Sequence, residues 1–439
     1  MIKKLLAYFY KQLASPDVLR LYKSLRKCHL DNNQFSIRIQ RSKLVSVIED
    51  AYLLIPYYKN LGLSVDLSNF SYDEFRKIPL MTKDIIRKEA ESLINKGYKN
   101  ARYAFKNTSG GSTGEPVTFY RTKDQAIHGM ANYYYALSLN NVNIYDTSVD
   151  LWGAERDMYN TSAKFDLRSL LNNKYFLNTF VLSDEIIADY IKRLNKIKPS
   201  FIKAYVHSIY DLAKYINKNK IDIEFKPTIH CTTGPLYTEM REEISKAFNC
   251  ARVYSFYGSR EVSAIATETN LSTGMSVLYD NVFVEVLDDA GNPVKRGEEG
   301  NVVVTTLNNK YMPLIRYKIG DRAIKGDDLS FGTLNLERVV GRTLGVIYKK
   351  DGSKIDGQFF TTLFFEKKGI KGFQLVQKSL DNVILYVVKS QLFQESELSA
   401  IIERIRNELQ GVDVNVTFCD KINLTSTGKI MYVYSEIGS

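Results

Sequence analysis

Strand-like and helix-like segments alternate between residues 146 and 256, and this alternation limits the fold more than any other feature of the chain. Apolar runs of strand length occur at 146–152, 201–205, 228–232 and 252–256, with helical periodicity at 184–196, 208–218 and 239–248. Strands joined by crossover helices at this spacing predict a parallel sheet. Because ligands bind beyond the carboxyl ends of such strands, the loops after Trp152, Thr232 and Phe256 form the predicted binding region.

The segments before this region predict mainly helices. Residues 1–60 have helical periodicity, as does Lys123–Leu139. Thr82 is a predicted N-cap for a helix over 83–96, because its hydroxyl can accept an N–H from the first turn.

The segments after this region predict a change of architecture. Between about 277 and 336, strands with tight turns predict a β-rich subdomain, namely a barrel appended to the sheet. Residues 341–439 predict a small α+β unit. We therefore predict an α/β fold with a large N-terminal domain, 1–340, that contains parallel sheets and the appended β-barrel subdomain. A small, mobile α+β C-terminal domain, 341–439, completes the prediction.

Composition is that of an ordinary soluble protein, with 44% hydrophobic and 25% charged residues among 439. The four cysteines are far apart and form no C-x-x-C pair, and the four histidines show no metal-ligand spacing. These features argue against a disulfide framework or a structural zinc site and favour a reducing compartment. No apolar run reaches membrane-spanning length. We expect a cytoplasmic protein.

Positive charge is concentrated at the start of the chain, whose net charge is +11. Residues 1–45 hold ten Lys and Arg against Asp17 and Asp31. This segment is either a solvated basic helical face or a surface for peripheral contact with an anionic membrane. Nucleic-acid binding is a third reading, but the segment contains no recognisable nucleic-acid module, so we predict no nucleic-acid partner.

A run of small residues at 107–116 has the composition of a phosphate-binding loop. Its glycines are Gly110, Gly111 and Gly114, and its hydroxyl residues are Thr108, Ser109, Ser112 and Thr113. Glycine lets backbone N–H groups approach an anion closely, and the hydroxyls add donors. Glu115 stands where the P-loop of NTPases would need Lys, so that motif is excluded. A flexible surface loop is the alternative reading.

This loop and four later motifs, in the same order, resemble those of the adenylate-forming enzymes. The motifs are Thr108–Pro116, Thr232-Thr233-Gly234, Tyr257-Gly258-Ser259-Arg260-Glu261, Arg316–Asp321 followed by Gly341-Arg342, and Ile422–Ile430. They are most similar to the phenylacetate–coenzyme A ligase branch and its capsular-polysaccharide relatives, the CapK-like proteins. The resemblance extends over residues 108–430, which is nearly the whole chain.

The resemblance implies a role for each motif. The loop residues 108–114 would hold the phosphates of ATP, Thr233 and Gly234 would border adenine, and Tyr257, Gly258 and Ser259 would line its pocket. Glu261 would hold Mg²⁺, Asp321 would accept both ribose hydroxyls, and Arg342 would contact the nucleotide. Lys429 would neutralise charge between the substrate carboxylate and the α-phosphate.

Two positions depart from the family pattern. Arg260 replaces a Thr that contacts phosphate and metal, and either Ser259 or Arg260 could substitute for it. Leu344 replaces the usual hinge Asp, so the hinge could lie at another residue such as Gly345.

The implied activity is that of an AMP-forming ligase. With ATP and Mg²⁺ it would convert a carboxylic acid to an acyl-adenylate, then transfer the acyl group to coenzyme A, a carrier thiol or an amino sugar. The CapK-like relatives imply surface-polysaccharide assembly as the context. Trp152, Tyr205 and His207, near strand ends, are candidates for the acyl pocket or plain core residues. The alternative is a non-catalytic homologue that acts as a scaffold.

Overall fold

A computed structural model describes residues 2–31, 33–108, 117–152, 167–179, 182–234, 236–250, 252–327, 333–342, 346–364, 367, 369–420, 422 and 432–437. The chain divides into two compact units. The first comprises residues 1–107, 119–319 and 323–340, and the second comprises 108–118, 320–322 and 341–439. The sequence predicts a domain boundary at residue 340 between a large domain and a small mobile one. That division stays a prediction.

Helices occupy most of the first hundred residues. They are α1 (Ile2–Ala14), α2 (Pro16–Asp31), α3 (Asn33–Leu54), α4 (Pro56–Asn60), α5 (Tyr72–Arg76) and α6 (Lys83–Lys88), followed by a 3-10 turn at Ala101–Tyr103. Thr82 caps α6 as predicted, because its Oγ1 accepts the N–H of Ile85 at 3.3 Å. The predicted end of this helix at residue 96 is wrong. The N–H of Asn95 donates to the carbonyl oxygen of Tyr311 at 2.8 Å, a bond that a continuous helix could not make.

Five parallel strands form one half of an 11-stranded sheet. The elements from here to residue 259 are β1 (Phe105–Thr108), β2 (Thr118–Arg121), α7 (Lys123–Leu139), β3 (Ser148–Trp152), α8 (Leu167–Asn172), β4 (Lys174–Asn178), α9 (Asp184–Ile197), β5 (Phe201–Tyr205), α10 (Val206–Lys218), β6 (Thr228–Thr232), α11 (Thr238–Ala247) and β7 (Val253–Ser259). β1 and β2 pair separately, and the parallel strands follow the order β4-β3-β5-β6-β7.

The parallel strands are buried because helices cover them. Leu151, Ile202 and Ile229 on neighbouring strands have no exposed surface, and Leu194 of α9 and Leu212 of α10 pack into the same core. Burial of this kind stabilises each large aliphatic side chain by about 1.5–3 kcal/mol. The crossover helices predicted from sequence periodicity therefore also cover the sheet.

Antiparallel strands continue the same sheet beyond β7. They are β8 (Ser263–Glu268), β9 (Met275–Val277), β10 (Val282–Leu287), β11 (Glu299–Thr306), β12 (Tyr317–Lys325) and β13 (Asn335–Arg342), in the order β7-β8-β9-β13-β12-β11-β10. The fold is thus mixed α/β with one large sheet. Closure of the later strands into a barrel stays a prediction.

The second unit contains a small sheet with helices. Its elements after residue 342 are β14 (Val346–Tyr348), β15 (Lys354–Asp356), α12 (Gly357–Leu363), β16 (Ile370–Ser379), β17 (Asn382–Lys389), α13 (Glu395–Glu408), β18 (Asp413–Phe418) and β19 (Val433–Ser435). β14 and β15 form a hairpin, and the others form a sheet in the order β18-β17-β16-β19. Leu398, Ile401 and Ile405 of α13 belong to the same core as Leu375 and Leu385 of that sheet.

Candidate functional site

The ends of β3, β5, β6 and β7 lie side by side at one edge of the parallel sheet. Tyr205 is in register with Thr232, and Cys231 with Ser255. Thr233 and Tyr257 each follow two residues after the second pair, on neighbouring strands. Thr233 lies in the turn after β6, whereas Tyr257 is still within β7, so the predicted end of that strand at Phe256 is wrong because residues 257–259 pair with β8. The structure therefore brings together the predicted residues of the Thr233 and Tyr257 motifs in the first unit.

The turn after β6 has an unusual backbone. Thr233 has φ of 72°, in the left-handed region that a β-branched residue rarely adopts. Strain of this kind costs on the order of 1–3 kcal/mol and clusters at functional sites. A Cβ added to Gly234 would lie 3.7 Å from Nε2 of His207, so the imidazole at the start of α10 faces this turn.

The segment from Tyr257 to Ser263 forms a tight hairpin between β7 and β8. Ser259 is in register with Ser263, and the pairing shifts between Tyr257 and Gly258. Ser263 has φ of 68°. A Cβ on Gly258 would lie 2.7 Å from the carbonyl oxygen of Ser263, which is closer than real contacts allow. Gly258 is therefore required for the close approach of the two strands.

Glu261 stands at the centre of this hairpin turn and is 5% exposed. Its carbonyl oxygen accepts Nε2 of Gln125 at 3.1 Å, and the next carbonyl, that of Val262, accepts Nδ2 of Asn281 at 2.8 Å. The N–H of Val262 donates to Oγ of Ser259 at 3.3 Å. Hydrogen bonds from α7 and from the turn before β10 thus fix the backbone that carries the Glu261 carboxyl group.

Two guanidinium groups accompany the Glu261 carboxylate. Burial, and then the nearby charge of Arg260, lower the pKa of Arg121, while the Glu261 carboxylate acts in the opposite direction. Arg121 also donates to Oγ of Ser263, and its Nε has no hydrogen-bond partner among the described residues. Together these two cations and one carboxylate carry net positive charge, which favours an anion.

Arg121 is a residue that sequence reasoning missed. It ends the short strand that follows the glycine-rich loop, and this position after a phosphate-loop motif was the available signal.

The aromatic residues at the ends of β3 and β5 contact each other. The ring centroids of Trp152 and Tyr205 are 4.4 Å apart. Nζ of Lys203 lies 4.6 Å from the Trp152 centroid and 4.8 Å from that of Tyr133. Lys203 was also missed, although a Lys in the middle of the apolar strand Phe201–Tyr205 was a visible signal. One of the predicted acyl-pocket residues, Trp152, therefore lies against a positive charge.

Three of the predicted site residues in the second unit lie among the described residues. Thr108 ends β1, Asp321 lies on β12 with 7% of its surface exposed, and Arg342 ends β13. The remaining predicted residues lie outside the described ones. They are Ser109, Gly110, Gly111, Ser112, Thr113, Gly114 and Lys429, together with the departure at Leu344.

Arg316, at the start of the Asp321 motif, has a structural role. It is 3% exposed and pairs with Glu285, with an Nη2 to Oε1 distance of 2.9 Å. Its Nη1 donates to the carbonyl oxygens of Arg76 and Ile78 at 2.9 and 2.8 Å. These bonds tie the segment after α5 to the beginning of β12.

The fold is that of adenylate-forming ligases. A structure of 2-hydroxyisobutyryl-CoA ligase with 2-HIB-AMP and CoA in the thioesterification state gives a TM-score of 0.61 at 17% identity, over 91% of this chain and 90% of that one. The same ligase with R3-HIB-AMP in the postadenylation state gives 0.56 at 17% identity, over 91% and 89%. At this identity the likeness shows the fold alone.

Sequence comparison finds a likeness to CapK. Protein CapK of Staphylococcus aureus is 26% identical over 456 residues, which cover 98% of this chain and 94% of CapK. Residues 347–436 match the family model of the CapK C-terminal domain. The chain is thus a CapK homologue with the fold of adenylate-forming ligases, and the predicted resemblance is confirmed.

Proposed function

We propose that this chain is an AMP-forming ligase that activates a carboxylic acid with ATP and transfers the acyl group to an acceptor. The observation that carries the proposal is the hairpin turn that holds Glu261, with Arg121 and Arg260 nearby, at the carboxyl edge of a parallel sheet. In this arrangement the buried carboxylate can hold a metal ion, and the two cations can bind the phosphates of a metal-bound polyphosphate.

The Glu261 carboxylate is proposed to hold Mg²⁺. Mg²⁺ prefers oxygen ligands and is commonly bound by one or two carboxylates together with substrate phosphates. The described residues contain no group of three or more His, Cys, Asp and Glu side chains that could hold a metal ion. Glu261 is therefore proposed as a single protein carboxylate that binds Mg²⁺ together with the ATP phosphates. Mg²⁺ bound there would neutralise charge on the ATP phosphates.

The nucleotide is proposed to lie along the edge formed by the β6 and β7 loops. Thr233 and Gly234 would border adenine, with Tyr257, Gly258 and Ser259 lining its pocket. The loop 108–114 would bind the phosphates, Asp321 the ribose hydroxyls, and Arg342 another part of the nucleotide. Arg260 would supply the phosphate contact that Thr makes in other members, because a guanidinium can donate two hydrogen bonds to phosphate.

The proposed reaction has two steps. In the first, a carboxylate oxygen of the substrate bonds to the α-phosphorus, the bond to the bridging oxygen breaks, and pyrophosphate leaves. In the second, a thiol or amine of the acceptor bonds to the acyl carbon, loses its proton, and AMP leaves. The first step brings two anions together, and Lys429 is proposed to neutralise their charge.

The acceptor is proposed to be coenzyme A, a carrier thiol or an amino sugar. The 2-hydroxyisobutyryl-CoA ligase that shares this fold is observed with CoA. The CapK resemblance supports a role in surface or capsular polysaccharide assembly.

Replacement of Lys429 separates the two steps. We expect Lys429→Ala to lower ATP–pyrophosphate exchange by about 10²–10³-fold, since one preorganised charge at the transition state is lost. Transfer from a supplied acyl-adenylate should change only a few-fold, because that step does not join two anions. Both rates are measured on the purified full chain with the acid that supports exchange.

Lys371→Ala, at an exposed lysine of the same unit, is the matched control and should leave both rates unchanged. Normal exchange by Lys429→Ala would show that Lys429 has no role in adenylation. Equal loss of exchange and transfer would point to damage of the whole unit instead.

A further inference from the structure

Helix α1 turns its apolar side chains outward. Ile2, Leu5, Phe9 and Leu13 are 74%, 56%, 56% and 85% exposed, and Leu6 lies beside them at 43%. At 100° per residue these five positions fall within an arc of about 100°, so they form one continuous stripe, called here the α1 stripe. Single exposed apolar residues are ordinary, but a continuous stripe marks an interaction surface.

The opposite face of α1 attaches the helix to the first unit. Ala7 and Lys11 are buried there, and Nζ of Lys11 contacts Oδ1 of Asn172. Nζ of Lys4 lies 2.6 Å from Oδ1 of Asp146. Because the helix is already held by its other side, the α1 stripe is not needed for packing within this unit.

Basic residues follow the α1 stripe closely in the sequence. Only Ser15 separates α1 from α2, and the exposed residues of α2 include Arg20, Lys23, Arg26 and Lys27. Asp17 is the acidic residue at its start, and it lies 3.6 Å from Arg20. A surface that binds this segment should therefore be both apolar and anionic.

We propose that the α1 stripe and the basic residues of α2 bind the surface of an anionic phospholipid membrane. A helix of 13 residues is about 20 Å long, too short for a hydrocarbon core of about 30 Å, so α1 would lie in the plane of the interface. None of the helices that the structure describes is long and apolar enough to cross a membrane. Each basic residue near an anionic surface adds to the attraction.

A second copy of the chain suits this surface less well than lipid does. A two-fold dimer through the α1 stripe would bring the basic residues of two α2 helices towards each other, and like charges at an interface repel. Anionic lipid instead complements them. The proposal does not depend on the ligase activity, because α1 and α2 contain none of the proposed site residues.

Vesicle co-sedimentation of the full chain tests the proposal. We expect binding to vesicles of phosphatidylcholine with 30% phosphatidylglycerol, weaker binding at high salt, and little binding to phosphatidylcholine alone. The double variant Phe9→Gln with Leu13→Gln should bind at least about tenfold more weakly, because two apolar side chains no longer enter the interface. Lys23→Glu with Lys27→Glu should weaken binding to anionic vesicles and reduce its dependence on salt.

Matched controls are available elsewhere on the surface. Leu271 and Leu392 are exposed to 65% and 64%, so Leu271→Gln with Leu392→Gln should bind as the unchanged chain does. Lys220→Glu with Lys246→Glu gives the same change of net charge at exposed sites. All variants replace exposed residues, and unchanged thermal melting would confirm that each one folds.

Three results would overturn the proposal. The first is absence of binding to anionic vesicles, and the second is equal loss of binding in the variants and their controls. The third is a concentration-dependent dimer in sedimentation equilibrium that the Phe9→Gln with Leu13→Gln variant abolishes, since this would assign the α1 stripe to a second copy of the chain.

Discussion

At Glu261, hydrogen bonds to the backbone of residues 261 and 262 position the residue that carries the carboxyl group. Gln125 and Asn281 bind the carbonyl groups of residues 261 and 262, and Ser259 binds the N–H of residue 262. Each such bond to a buried carbonyl contributes about 0.5–1.5 kcal/mol, and leaving the group unpaired would cost more. These bonds thus fix the backbone on both sides of the peptide group that follows the Glu261 side chain.

His230 is a buried histidine whose role is structural. It lies on β6 with 1% exposure, and its Nε2 is 3.1 Å from Nδ2 of Asn140. Burial, and then the charge of Lys203, lower the pKa of His230 to about 3. The unfolded chain therefore binds one more proton than the folded chain between about pH 3 and 6.5, and folding free energy is lost as pH falls through this window.

We expect His230→Phe to remove this part of the acid sensitivity. The rings of Phe201 and Phe256 lie 5.3 and 6.2 Å from the imidazole, so the site is already aromatic. The slope of unfolding free energy against pH should fall by up to about 1.4 kcal/mol per pH unit. Urea unfolding of both proteins at pH 7, 6 and 5 measures it. Parallel slopes would mean that His230 keeps an ordinary pKa in the folded chain.

At the scale of elements, the β7–β8 hairpin is the part of the site whose geometry is most constrained. Three groups converge on Ser263. Arg121 donates to its Oγ, a Cβ on Gly129 would lie 2.6 Å from the same atom, and a Cβ on Gly258 would meet its carbonyl oxygen. Small residues at 129 and 258 are therefore needed for the hairpin to approach both α7 and its own partner strand.

We expect Gly258→Ala to disturb this hairpin, because the clash is with backbone and cannot be relieved by a rotamer change. Overpacking of this kind costs about 1–3 kcal/mol, and the displaced turn should also lower ATP affinity. Gly97→Ala is the matched control, since a Cβ there would meet its nearest neighbour at an ordinary 3.5 Å. Thermal melting and ATP titration check both variants. Equal stability of the two would contradict the close approach.

Sequence patterns predicted the bounds of some elements well and those of others poorly. The predicted bounds of α7, β5 and β6 match the structure. β8 was missed because its sequence, Ser263–Glu268, contains two alanines and little β-propensity. α6 was predicted too long because a tertiary bond from Asn95 to Tyr311 overrides local helix propensity.

Motif reasoning proposed site residues, and the structure brings those of the Thr233 and Tyr257 motifs to the ends of neighbouring strands, but the motifs do not assign every role. Arg316 lies inside a nucleotide motif and yet pairs with Glu285 in the core, which only the three-dimensional contacts reveal. Arg121 and Lys203 lie on short strands outside the motifs. The proximity of Lys203 to Trp152 depends on the strand order β3-β5 of the large sheet, and that of Arg121 to Glu261 depends on tertiary packing of β2 near the β7–β8 hairpin. Sequence spacing alone does not contain that order.

At the scale of the whole molecule, the proposed chemistry requires residues from both units. Glu261, Tyr257 and Thr233 belong to the first unit, whereas Asp321, Arg342 and Lys429 belong to the second. The proposed activity is therefore a property of the full chain.

ATP–pyrophosphate exchange on the purified full chain tests the central claim most directly. The acids to be supplied are aryl, fatty, hydroxy and amino acids, each with ATP and Mg²⁺, and thermal melting with ATP is measured in parallel. We predict exchange with one class of acid, which would establish adenylation and identify the acyl donor. No exchange with any class, together with no stabilisation by ATP, would contradict the proposed activity and favour a non-catalytic scaffold.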